Sequence, residues 1–125
     1  MQAAEGISKL PVFKEVDGHF HPAPFYLSEE MFGGLDVEIA GGPIDHLVNQ
    51  PVADVHTHDV PEIYLLLSPE PGGAKIRIEV DGETHVLESP ANFYVPAGAR
   101  HRFLTLEATK GSYCLGLLLN YQRKK

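Results

Sequence analysis

The 125-residue chain is the size of one domain, and its 43% hydrophobic and 22% charged residues exclude wholesale disorder. A net charge of −7 argues against a nucleic-acid partner, and the basic run Arg123-Lys124-Lys125 reads as a solubilising tail. The single cysteine, Cys114, excludes an internal disulfide and a thiolate zinc cluster, and the longest apolar runs, Ile63–Leu67 and Cys114–Leu119, are too short for a membrane-spanning helix.

In chain order, Pro11, Pro22 and Pro24 keep the opening stretch irregular, with one helical turn expected at Ser28-Glu29-Glu30-Met31 behind Ser28 as N-cap. No basic and then apolar leader opens the chain, so a cytoplasmic address is the expectation. From Leu35 the reading is β throughout. Leu35–Ala40 is a strand that Gly41-Gly42-Pro43 should break and Ile44–Val48 continue; Val52–His58 and Glu62–Ser68 follow. Ser68–Gly73 is a loop by composition. Lys75–Val80 alternates polar and apolar, placing Ile76, Ile78 and Val80 inward, and Asp81-Gly82 turns the chain back into Glu83–Glu88. Asn92–Val95, Arg100–Leu106 and Ser112–Asn120 complete an all-β series of short strands, a sandwich, jelly roll or barrel. The division expected is an N-terminal arm over residues 1–34 packing on a barrel of residues 35–125.

Seven histidines are present. His56 and His58 lie two apart on an expected strand, so both imidazoles share a face. Pro61 bends the chain and lets Glu62 swing a carboxylate to the same point. Pro96-Ala97-Gly98-Ala99-Arg100-His101 sets a further imidazole directly after a tight turn. Three imidazoles and one carboxylate suit a single divalent ion, Fe, Mn, Ni, Cu or Zn, with positions left open for water or substrate. The carboxylate is also free to dissociate or to act as a base.

These segments resemble the two motifs of the cupins, small jelly-roll β-barrel proteins. The first motif is similar to His56-Thr57-His58-Asp59-Val60-Pro61-Glu62 followed by Gly72-Gly73, and the second to Pro96-Ala97-Gly98-Ala99-Arg100-His101. The resemblance implies a metal held by His56, His58, Glu62 and His101 inside the barrel. Turn positions depart from the pattern: Gln50 and Pro90 stand where glycines are expected, and Thr105 where an Asn sometimes closes the second motif.

Tyr64 follows Glu62 by two and shares its face, so its phenol is a candidate base or orienting group. Glu-x-Tyr after His-x-His is similar to a cupin group that breaks down dimethylsulfoniopropionate. Leu66, Phe93, Val95 and Phe103 are candidate barrel wall, Arg100 points away from His101 into solvent, and Cys114 is a small buried hydrophobe. His85 is a packing residue, His19-Phe20-His21 forms a second His-x-His, and His46 has no assigned role. Ser112–Asn120 is apolar on both faces, which with the resemblance implies a homodimer. The expected function is a metal-dependent enzyme, dioxygenase-like or a lyase or isomerase, acting on a small polar organic molecule. The alternatives are a non-catalytic ligand-binding or sensing protein and a metal-free structural barrel.

Overall fold

The computed structural model describes residues 9–120, so the basic tail at Arg123–Lys125 lies outside the described residues. Within them nine strands form: β1 (Val12–Lys14), β2 (Ala23–Leu27), β3 (Val37–Pro43), β4 (Glu62–Leu67), β5 (Ala74–Val80), β6 (Glu83–Glu88), β7 (Ala91–Val95), β8 (His101–Ala108) and β9 (Tyr113–Leu119). They make two antiparallel sheets, one in the order β1-β2-β3-β9-β4-β7 and one in the order β6-β5-β8. The sheets are not joined into a continuous barrel. No helix among the described residues is long and apolar enough to cross a membrane.

The core lies between the sheets. From β5, Ile76 and Ile78 are fully buried, as their alternation requires, while Val80 is half-buried against the same cluster. Opposite them sit Tyr64 and Leu66 of β4, Val95 of β7 and Cys114 of β9, with Phe93 and Phe103 packed alongside. Asp81 and Gly82 both take positive φ, 48° and 85°, the geometry that matches strand twist in a two-residue hairpin. Arg100 is exposed, and His85 stacks 5.0 Å from Phe93.

Four local expectations differ from the structure. Prolines forbid a helix but accept extended backbone, so the opening stretch holds β1 and β2 and Pro24 pairs opposite Phe13. The single helical turn is a 3₁₀ turn at Met31–Gly33; the Ser28 hydroxyl does not cap it but donates to Glu30 at 2.5 Å. Gly41-Gly42-Pro43 does not break its strand. It ends β3, because a β-carbon at Gly41 would strike the Cys114 carbonyl of neighbouring β9, and glycine lets the two backbones pair. Ile44–Leu47 is then a turn, closed by the Leu47 amide on the Ile44 carbonyl at 2.9 Å, and Val48 makes only an isolated bridge to Thr105.

The fourth concerns Val52–His58, which makes no ladder. Ala53 bridges His19 and His56 bridges His101. An extended segment that changes partner every few residues cannot build continuous pairing.

Candidate metal centre

The two sequence motifs meet through backbone pairing. His56 and His101 exchange both of their hydrogen bonds, at 3.0 and 2.8 Å, at the start of β8. The turn before β8 also fixes His58, since the Gly98 amide donates to the His58 carbonyl at 2.8 Å. Arg100 anchors the same turn from the hairpin side, its amide donating to the Asp81 carboxylate at 2.9 Å. Glu62 opens β4 on the inward face, two residues before Tyr64. So the position of each donor follows from a turn or a bridge rather than from one shared strand.

His56, His58 and His101 each bring a ring nitrogen within 4.8 Å of the other two. Nδ1 of His56 faces the Asp54 carbonyl at 2.7 Å, and Nδ1 of His101 faces the Ala99 carbonyl at 2.9 Å. A carbonyl accepts only, so the proton sits on Nδ1 and the Nε2 lone pair turns toward the cluster. Glu62 Oε1 then stands 2.9 Å from His101 Nε2 and 3.4 Å from His58 Nε2. At His101 a carboxylate oxygen facing an imidazole lone pair at that separation requires a cation between them, either a proton or a metal ion. The donor set therefore fits a divalent ion.

The titration of these groups follows their packing. Burial, then the neighbouring imidazoles of His101 and His58, lowers His56 to about 4, against the pull of the Asp54 carbonyl. Burial opposes ionisation of Glu62, but the His101 and His58 bonds outweigh it and hold the carboxyl at about 2. Burial likewise opposes charge on His101; the Glu62 bond and the Ala99 carbonyl overcome it, and its pKa is raised. Burial and then the Glu62 charge push the Tyr64 phenol well above its ordinary value.

A cavity of about 300 Å³ opens beside the cluster, with His56, His58, Glu62 and Tyr64 in its wall. The Tyr64 ring lies 6.1 Å from that of His101 and 5.5 Å from Phe103. His19, His21 and His46, which had no role in the sequence, also line this cavity. His19 comes closest to the cluster, its ring 5.0 Å from His56. Its segment is clamped to the loop before His56: Asp54 donates to the Gly18 carbonyl at 2.9 Å and Phe20 to the Val52 carbonyl at 3.1 Å. The second His-x-His was the signal in the sequence, but nothing local tied it to the first. Arg102 and Cys114 reach the wall as well. Burial drives the Cys114 thiol well above its ordinary pKa, so it behaves as a small hydrophobe.

No family model matches the chain, and no curated protein matches it. Solved structures do. A cupin-like protein from Thermotoga maritima is similar with a TM-score of 0.61 at 11% identity, over 93% of this chain and 82% of that one. An RmlC-like cupin from Shewanella frigidimarina is similar with a TM-score of 0.58 at 12% identity, over 96% and 94%. A conserved Streptococcus pyogenes protein of unknown function is similar with a TM-score of 0.54 at 22% identity over 68% of this chain, which spans 65% of that protein's length. At these identities the likeness speaks to the fold.

Proposed function

The chain is a small cupin-fold protein, and from that premise we propose that His56, His58 and His101, with Glu62 as a further ligand, hold one divalent metal ion in a metal-dependent enzyme. The observation that carries the reading is the convergence of three imidazole nitrogens within 4.8 Å of one another beside a cavity of about 300 Å³. Fe, Mn, Ni and Zn all suit this donor set. When bound, such an ion supplies Lewis acidity and open positions for substrate oxygens or O₂. The chain's own part is to fix the Nε2 lone pairs through the Asp54 and Ala99 carbonyls and to keep Glu62 ionised. Tyr64 offers its phenol proton to whatever lies in the cavity.

The substrate is a small organic molecule, and oxygenase chemistry is preferred over lyase or isomerase chemistry because the donor set suits Fe(II). Dependence of turnover on O₂ separates these. A second reading is a ligand-binding or sensing protein, in which Tyr64 in the cavity wall orients a ligand through its phenol. Elemental analysis of protein purified without added metal tests the common premise. Wild type is expected to carry about one divalent ion per chain and His58→Ala, folded by circular dichroism, much less. Equal metal in both would remove the site.

A further inference from the structure

We propose that the cavity beside the histidine cluster takes a small amphipathic molecule: an oxygen-donor head joined to a compact apolar body. Its volume of about 300 Å³ corresponds to roughly ten water volumes, which limits the body to one ring or a short branched chain. The inward polar groups gather at the cluster, where His56, His58, Glu62 and Tyr64 meet His19. Elsewhere the wall is mostly apolar, His21, His46 and Arg102 apart. The arm contributes Pro24 from β2, the loop between β3 and β4 contributes Ile44, Leu47, Val52 and Ala53, and β8 contributes Phe103.

Charge points the same way. Arg102 is the one guanidinium or ammonium group among the described lining residues, and its Nε lies 3.4 Å from Glu79 Oε1. His21 and His46 are exposed, and His46 sits 3.8 Å from the Asp45 carboxylate. Away from the proposed metal, an anionic group on the body would therefore find no free ammonium or guanidinium among the described lining residues. Sugar hydroxyls lying along the proline, isoleucine and leucine part of the wall would lose water without a partner there. An apolar body is stabilised by the same wall. The head contact rests on the metal reading proposed above; the apolar body does not.

Benzohydroxamate and acetohydroxamate share one oxygen-donor head and differ in a phenyl against a methyl body. Each is titrated by calorimetry into the full chain, once dialysed against zinc and once stripped with chelator. The zinc-dialysed chain is expected to bind benzohydroxamate about tenfold or more tightly than acetohydroxamate. Leu47→Asn, at a half-buried wall position, is expected to cut that preference to about threefold or less while leaving acetohydroxamate unchanged. Equal affinities for the two probes, or no binding of benzohydroxamate, overturn the proposal. Loss of metal should weaken both probes alike and leave the phenyl preference in place; absolute affinities untouched by stripping retain the apolar cavity and sink the metal reading instead.

Discussion

Glu62 is the residue on which most of the site's constraints converge. One carboxylate oxygen faces two imidazoles, and the other lies over the backbone of Gly116 on β9, where a β-carbon would collide with it. Gly116 pairs with Tyr64 in the register of β9 on β4, so the missing side chain makes room for the carboxylate beside the phenol. Gly116→Ala is expected to displace Glu62 while leaving the imidazoles in place, weakening metal affinity about tenfold or more. Chelator competition reads this, and an unchanged affinity would mean that Glu62 takes no part. In metal-stripped protein the same group of residues sets an acid limb. His56 falls from 6.5 to about 4 on folding and Glu62 from 4.5 to about 2. Both folded values lie below the unfolded ones, so the unfolded chain takes up protons first as pH falls. The stability from His56 is complete above pH 6.5 and is lost toward about 4, and that from Glu62 is lost between 4.5 and about 2. His101, whose pKa is raised, runs the opposite way, contributing below 6.5 and losing its contribution as pH rises through its folded value. The melting temperature of the stripped protein should therefore fall between pH 6.5 and 4, and His56→Gln should flatten that fall; an identical slope in the variant would contradict the assignment.

Among the elements, the N-terminal arm reaches the site through His19, His21 and Pro24 in the cavity wall. It is latched at Glu38, a buried carboxylate on β3 that accepts from Lys14 Nζ of β1 at 3.0 Å, from the Glu29 amide at 3.0 Å and from Ser28 at 3.3 Å. Burial alone would raise the Glu38 pKa, but these donors outweigh it and the value is lowered. Lys14 also stands 4.7 Å over the Phe25 ring. Lys14→Ala leaves the carboxylate short of its cation and should cost about 1–3 kcal/mol, read as a lower melting temperature with faster amide exchange in β1 and β2. Unchanged exchange there would show that the latch does not hold the arm. This arm was the least legible part of the sequence. Its strands are short and proline-bearing, and His19 reaches the cavity only through bridges to Ala53 and Val52, contacts that no local pattern records. Lys75–Val80 was legible because strict alternation carries its own burial. The donors His56, His58 and His101 were legible as well, although the strand expected to carry the first two is a bridged loop: spacing and turn chemistry bring the rings together without a ladder.

At the scale of the whole molecule, the six-stranded sheet has two unlike sides. Glu62, Tyr64 and Leu66 face inward, so the alternate residues Ile63 and Leu65 face outward together with their register partners Leu117, Leu115 and Tyr94, and with Ile39 opposite Leu117. These aliphatic residues are half-buried and Tyr94 is exposed, an apolar surface of the kind that marks association. A second copy pairing through it is the expected outcome, giving an apparent mass near twice that of the chain in sedimentation. Leu117→Lys, on this face, should return monomers that keep their metal. Monomers alone from the wild type at micromolar concentration would contradict the pairing.

X-ray absorption at the metal edge of the loaded full chain tests the central claim most directly. The account predicts a first shell of nitrogen and oxygen donors with the multiple-scattering pattern of about three imidazoles, reduced by one ring in His58→Ala. A shell of oxygens without imidazole scattering, or a spectrum indifferent to that substitution, would contradict it.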